Sequence, residues 1–384
     1  MNARWRARAL ILLMVLVPLA GAHGQTGEPI KIGVLAEQTG FFSLAGQDAV
    51  SGARLFADEQ NGRGGINGRP IELIIQDTAS DPERAIIGAR KLIDQDRVVA
   101  IVGLGLVSNA AAVAPIVATR GPVMLSVSGA FLPQQNQPMV FAFNPSVLDF
   151  MSGGMRWLQQ QKKMKVALIT TNDATGQVSE RAYRILVRRY GMTSTGIEFF
   201  NPAATSAAAE LTKIRDSGPD AVVAWTVGRS TGVIAAAVQQ LGMSDRPFLT
   251  SAGNVSGAFL RQLQGMGADF FVMPVTKDIL DVEYLDAKDP QYPLVKAYRE
   301  AFVRRFNSAP SAVSGGAYDA MRVLTEAIRR AGTDQAALAK TIENMKGFVG
   351  VQGTYNFAPG RHRGLDAAVL IPVRVVKGQL VPAR

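Results

Sequence analysis

Residues 30–76, IKIGVLAEQTGFFSLAGQDAVSGARLFADEQNGRGGINGRPIELIIQ, decide the fold. Ile30–Leu35 is an apolar run of strand length. From about Gly46 to Asn61 the apolar residues change period, and Ala49, Ala53, Phe56 and Ala57 fall on one helical face. Asn61-Gly62-Arg63-Gly64-Gly65-Ile66-Asn67-Gly68-Arg69-Pro70 then breaks the helix with glycines and asparagines, which tolerate positive φ. Ile71–Gln76 is a second strand. A strand, a covering helix and a second strand form the unit from which parallel sheets are built.

The rhythm continues in both directions from there. Asp81-Pro82-Glu83 supplies an N-cap, a proline at the first helical position and a first-turn negative charge, so a helix is predicted to about Asp94. Val98–Val102 reads as a buried strand, Ser108–Thr119 as a helix and Val123–Ser126 as a strand. Further on, the strands are Val166–Thr170, Ala221–Ala224, Pro247–Thr250, Phe270–Val275 and Ala368–Val376. The helices are Gln177–Tyr190, Ala207–Asp216, Thr231–Leu241, a short one at Ser256–Leu263, then Pro293–Asn307, Gly316–Ala331 and Gln335–Met345. Near-continuous apolar strands between amphipathic helices imply sheets covered on both faces. The fold class is α/β, and the length suits two αβα sandwiches better than one core.

Composition narrows the function. Arg4, Arg6 and Arg8 precede the apolar run Ala9–Ala20, with small residues at Ala20, Ala22 and Gly24. That order reads as a secretory signal peptide over residues 1–24, cleaved after Ala22 or Gly24. The run is short for a membrane span, which needs about 20 apolar residues. The chain has no cysteine, which excludes disulfides, thiolate chemistry and the lipid-anchored class of exported protein. Of its two histidines, only His362 lies beyond the leader, so a histidine metal site is not expected. The formal charge of +10 falls to +7 without the three leader arginines. Arg188-Arg189, Arg304-Arg305 and Arg329-Arg330 each sit on a predicted helix, as solvated faces do. No continuous basic stripe for nucleic acid is visible.

Catalytic motifs are absent. There is no phosphate loop, no His-Glu-x-x-His, and neither Ser128 nor Ser256 sits in a nucleophile elbow. Gly103-Leu104-Gly105 follows a strand, but Ser108 stands where a dinucleotide fingerprint needs its third glycine. The loops after the strands are more informative, because ligands of parallel sheets bind beyond the carboxyl ends of the strands. They carry Val107-Ser108, Ser128-Gly129-Ala130, Thr226-Val227 and Ala252-Gly253-Asn254. Hydroxyls, small residues and backbone amides at helix starts suit a carboxylate-bearing ligand; each serine could equally cap its own helix. Trp225, at a strand end, could stack on a ligand or pack in the core. Phe41 and Phe42 could cover a ligand or pack beneath it. Asp77 and Asp81 read as a strand-end turn and a helix cap, and Tyr318-Asp319 as structural.

The segment Asn61–Leu73, with Asp77 and Asp81-Pro82, resembles the leucine/isoleucine/valine-binding protein family, the type I periplasmic solute-binding proteins of ABC transporters. Val102-Gly103, Gly40, Ala317-Tyr318-Asp319-Ala320 and Gly350-Val351-Gln352-Gly353 before Tyr355-Asn356-Phe357 add to the resemblance, which spans the mature chain. It implies two Rossmann-like lobes joined by a three-segment hinge, with crossovers near Asn144, Val275 and Phe357. Lobe one would be 28–143 plus 276–357, and lobe two 144–275 plus 358–384. It further implies a periplasmic, non-enzymatic, cofactor-free monomer that closes on a hydrophobic amino acid and docks on an inner-membrane permease. Carried over residue by residue, the ligand's carboxylate falls to Val107, Ser108, Ser128, Gly129 and Ala130, with Phe42 and Ala45 after the first strand. Thr175, Trp225, Thr226, Val227, Ala252 and Asn254 complete the site. The position that usually pairs with an α-ammonium is Ala252, so the ligand could instead be an aromatic or aliphatic acid without an amine. A ligand-sensing subunit of similar fold is the remaining alternative.

Overall fold

The computed structural model describes residues 27–129, 136–255, 265, 269–376 and 379–383. The leader, Ala130 and the predicted helix at Ser256–Leu263 lie outside the described residues. The first sheet contains β1 (Ile30–Ala36), β2 (Ile71–Asp77), β3 (Ala100–Gly103), β4 (Val123–Ser126) and β5 (Val140–Ala142), in the order β2-β1-β3-β4-β5. All its pairings are parallel. Its helices are α1 (Ser43–Gly62), α2 (Pro82–Arg90) and α3 (Val107–Arg120). Three later helices also join it: α8 (Tyr292–Phe306), α9 (Ala312–Ala331) and α10 (Gln335–Glu343). Phe56 from α1, Tyr298 and Phe302 from α8 and Met321 from α9 share one core with β1 and β3.

The second sheet has the order β14-β13-β10-β9-β8-β6-β7. Its parallel part is β6 (Lys165–Thr171), β7 (Thr193–Phe200), β8 (Ala221–Trp225), β9 (Phe248–Leu249) and β10 (Phe271–Val275). An antiparallel edge, β13 (Ile371–Val376) and β14 (Gln379–Pro382), is added at one side. Helices α4 (Val147–Gln160), α5 (Ala174–Arg189), α6 (Ala208–Asp216) and α7 (Arg229–Gln240) complete it. A small hairpin, β11 (Phe348–Val349) with β12 (Thr354–Tyr355), precedes the last crossing.

Elements absent from the sequence reading have identifiable causes. The α4 sequence carries Gly153-Gly154 mid-helix, which weakens a helical reading. Those glycines let the helix lie close on the sheet, and a Cβ on Gly154 would stand 2.1 Å from Leu249 Cδ1. A Ser146–Asp149 capping box starts α4. β7 is an edge strand, mostly half exposed and paired through a register shift, so its TSTGIEFF sequence lacks an apolar run. α9 starts at Ala312 rather than Gly316 because Ser311 and Ser314 form a second capping box. The glycine-rich turn is as expected: Asn61 accepts from the Ile71 amide at 2.7 Å and donates to its carbonyl at 2.9 Å. Gly64, Gly65, Asn67 and Gly68 all have positive φ.

The chain passes between the sheets three times, after Ala142, after Val275 and between Tyr355 and Ile371. The passages gather against the start of α9. A Cβ on Gly315 would stand 1.9 Å from Asp278 Oδ2, and one on Gly316 would stand 2.5 Å from Asn144 Oδ1, so both glycines are required by close approach. Gln352 Nε2 donates to the Ala312 carbonyl at 2.7 Å. Asp319 accepts from the Val351 and Gln352 amides at 2.8 and 3.0 Å and from the Tyr355 hydroxyl at 3.1 Å. The Phe143 carbonyl lies equally close to that hydroxyl, at 3.1 Å, so its one proton is shared between the two acceptors. The region is buried and polar. Asp278 is fully buried and no donor meets either carboxyl oxygen in good hydrogen-bond geometry among the described residues; burial pushes its pKa up to about 7, against the pull of the neighbouring Thr276 hydroxyl.

Candidate functional site

A cavity of about 840 Å³ lies between the carboxyl edges of the two parallel sheets. Strand-end loops of both sheets reach it, together with the start of α9. The first sheet contributes Phe42 and Ala45 at the start of α1, Val107 and Ser108 at the start of α3, and the cap of α9 at Ser311–Val313. The second contributes Thr171 and Thr175 around α5, Val227–Ser230 around α7, and Ala252 and Gly253 after β9. The lining is mainly apolar, with few charged groups, which are Asp48, Asp173 and Arg229 among the described residues. That is the usual make-up of a small-molecule site.

The wall of the first sheet is built around Glu37, at the end of β1. Glu37 is fully buried, and its carboxyl accepts from the Gly105 and Leu106 amides at 3.1 and 3.2 Å and from Asn109 Nδ2 at 3.0 Å. Asn109 reaches on to Thr78 Oγ1 at 3.0 Å. The buried side chain thus takes up the two amides of the loop that leads into α3. Burial raises the Glu37 pKa, against the pull of these hydrogen bonds. A Cβ on Gly105 would meet the Phe42 ring at 2.8 Å and Glu37 Oε2 at 3.3 Å, so a larger residue here displaces the ring. Asp48, from α1, lines the same wall; burial lifts its carboxyl to about 6, while a hydrogen bond from Ser311 opposes the shift.

The wall of the second sheet differs. Asp173 caps α5, accepting from the Gly176 amide at 3.0 Å and the Thr171 hydroxyl at 2.8 Å. At α7 the cap is Gly228, with φ of +60°, and the first helical residue is Arg229, which is exposed to the cavity.

Of the residues expected from sequence, Phe42, Ala45, Val107, Ser108, Thr175, Val227 and Ala252 come together on the cavity wall. Four others do not line it. Trp225 is 2% exposed and belongs to the core of the second sheet; at the end of a central strand its ring turns inward rather than to the cleft. Thr226 is buried, and its hydroxyl pairs with Thr231 at 2.8 Å. Ser128 is buried, with its amide donating to Ser126 Oγ at 3.2 Å. Gly129 accepts from the Val147 amide at 3.0 Å, in the first crossing. Ala130 lies outside the described residues, and Asn254 is described only as the last residue of the turn Ala252–Asn254, whose neighbours Gly253 and Val255 reach the cavity.

The sequence reading missed Asp48, Asp173, Arg229 and Ser311–Val313. Asp48 lies three residues after Ala45, so it was recoverable from helical spacing. Ser311–Val313 is brought in from a distant part of the chain and carries no local signal. Two aspartates are structural, as read. Asp81 caps α2 through the Arg84 amide at 2.9 Å. Asp77 ties the β1 loop through Thr39, Gln38 and Ala79; partial burial would raise its pKa, but these hydrogen bonds outweigh that and lower it. His362 is packed on Phe141, between the Val140 carbonyl and Glu343.

Among the described residues, no helix is long and apolar enough to cross a membrane. A family profile described as "Periplasmic binding protein" matches residues 29–379. An amino acid binding protein of Pseudomonas aeruginosa is 25% identical, over 78% of this chain and 84% of its own. Leu/Ile/Val-binding protein homolog 3 of Brucella melitensis is 24% identical, over 86% and 87%. In fold, the chain is similar to an extracellular ligand-binding receptor from Rhodopseudomonas palustris, with TM-score 0.84 and 20% identity over 94% of this chain and 100% of that one. It is also similar to the branched-chain amino acid transporter substrate-binding protein of Streptococcus pneumoniae, solved with isoleucine, with TM-score 0.78 and 22% identity over 92% and 100%. The chain belongs to the periplasmic binding protein family, of the Leu/Ile/Val-binding type with two αβα lobes.

Proposed function

We propose that the protein is the extracytoplasmic solute-binding component of an ABC importer. It takes a small carboxylate-bearing ligand with an apolar body, a branched-chain or other hydrophobic amino acid, into the cleft between the lobes. Hinge closure about the three crossings then encloses the ligand for delivery to an inner-membrane permease. The observation that carries this reading is the large, mainly apolar cavity at the carboxyl edges of both sheets. The lobes take the boundaries 28–143 plus 276–357 and 144–275 plus 358–384. The leader directs export and is removed, and the mature protein works in the periplasm as a monomer without catalysis. A second reading, an amine-free aromatic or aliphatic acid, is favoured by Ala252 on the cavity wall, which offers an ammonium no charge.

Thermal unfolding of the purified protein with leucine, phenylalanine and matched amine-free acids tests the proposal. A ligand at a hundredfold excess over its Kd adds about 2.7 kcal/mol, a shift of several degrees. Stabilisation by one of these compounds is expected. Turnover of any of them, or no stabilisation by the whole panel, overturns it.

A further inference from the structure

The charged groups on the two walls assign a polarity to the ligand. We infer that the cleft holds a zwitterion with its carboxylate at Arg229 on the second lobe and its ammonium at Asp48 on the first. This is the reverse of the arrangement that the resemblance implies, and it rests on the reading of the cavity as the ligand cleft.

Three observations converge. First, the start of α3, where the resemblance puts the ligand's carboxylate, already holds one. Glu37 takes the Gly105 and Leu106 amides and Asn109 Nδ2. A second carboxylate there would find the loop amides and Asn109 engaged and a buried acid directly behind the first turn of α3, which is unfavourable in a low-dielectric wall. Second, the other charged group on that wall is also an acid, Asp48. A cation or strong donor matches a wall with two carboxyls, and Asp48, which faces the cavity and is held by the Ser311 hydroxyl, supplies the anionic partner that Ala252 lacks.

Third, Arg229 is the one Lys or Arg among the described residues lining the cavity, and it stands on the opposite lobe. It makes no ion pair among the described residues. It is also misplaced for its own helix: as the first residue of α7 it puts a cation at the positive end of the dipole. A ligand carboxylate would relieve that conflict and could be gripped by two parallel N–H bonds. Asp173, the remaining charged group on the second lobe, is committed to the α5 cap and the Thr171 hydroxyl. The exposed starting geometry of Arg229 suits a side chain that engages as the lobes close.

Calorimetric titration with phenylalanine, 3-phenylpropanoate and phenethylamine tests this in the wild type, R229M, R229K and D48N. Wild type is expected to bind phenylalanine most tightly. R229M should weaken both carboxylates by about tenfold or more, with R229K between it and the wild type. D48N should weaken phenylalanine by a similar factor while leaving 3-phenylpropanoate unchanged or tighter. If the wild type binds and R229M or D48N leaves this pattern unaltered, the polarity is wrong and the cleft reading survives. If the wild type binds none of the three, nor leucine, the cleft reading fails and the polarity with it. Melting temperatures of the free variants, measured alongside, keep a folding defect distinguishable from a lost ligand contact.

Discussion

The cleft wall and the crossing region each bury a carboxylic acid, and they do so in opposite ways. Glu37 on the wall is met by two backbone amides and an amide side chain. No donor meets either oxygen of Asp278, in the crossing, in good hydrogen-bond geometry among the described residues, and a second acid, Asp319, stands near it. Arg299 binds the backbone carbonyls of Asp278 and Ile279, not the carboxyl. The first acid is therefore a structural acceptor whose removal strands donors. The second is pushed by burial towards its protonated form, which a neutral isostere can replace. Burial alone does not tell these apart; the inventory of donors does.

The largest expected effect tests the first half of that contrast. Glu37→Ala leaves the Gly105 and Leu106 amides and Asn109 without their acceptor in a buried wall. A loss of about 3 kcal/mol is expected in denaturant unfolding. Glu37→Gln should fall between, since its NH₂ faces a donor. An alanine variant as stable as wild type would mean that water replaces the carboxyl, and the contrast would collapse.

Asp278→Asn tests the other half through pH. Burial pushes the native carboxyl up to about 7, whereas the unfolded chain releases its proton near the ordinary aspartate value of 3.8. Between those values the native state binds more protons, so this group's contribution to stability falls as pH rises and levels off above about 7. The asparagine variant lacks that slope. Its stability relative to wild type should therefore climb across the window by an amount on the order of a few kcal/mol. Asp319 on α9, Arg299 and Tyr298 on α8, Thr276 in the crossing and Tyr355 on β12 all face the same pocket of polarity, and they are common to both proteins. A constant difference between variant and wild type at every pH would show that Asp278 is ionised when folded.

The smallest effect compares Glu37 with its counterpart on the facing wall. Asp173 caps α5 from a half-buried position, where water can substitute. Asp173→Ala should cost only about 1 kcal/mol, the ordinary value of an N-cap. A loss as large as that of the Glu37 variant would mean that the two walls are built alike.

Much of this was legible in the sequence. The strand–helix rhythm and the Asn61–Pro70 turn depend on local periods and on φ-tolerant residues, so they read correctly. Of the strand-end residues picked out in the sequence, Val107, Ser108, Thr175, Val227 and Ala252 line the cavity. Trp225 misled because a strand end does not reveal which way its last ring turns. Glu37 and Asp278 look like any carboxylate in a sequence, since their meaning lies in donors that other segments supply. α4 was hidden by glycines whose justification is the neighbouring Leu249.

The threefold crossing has a consequence for how the chain comes to be folded. The first lobe is not complete until α8–α10 arrive, and α1 packs on α9 across more than half the length of the polypeptide. The second lobe waits still longer for β13 and β14. Neither half is a contiguous stretch that could mature early during synthesis, and contacts of such high sequence separation form slowly. For a chain read as exported, slow closure of both lobes would leave more time for passage across a membrane before folding.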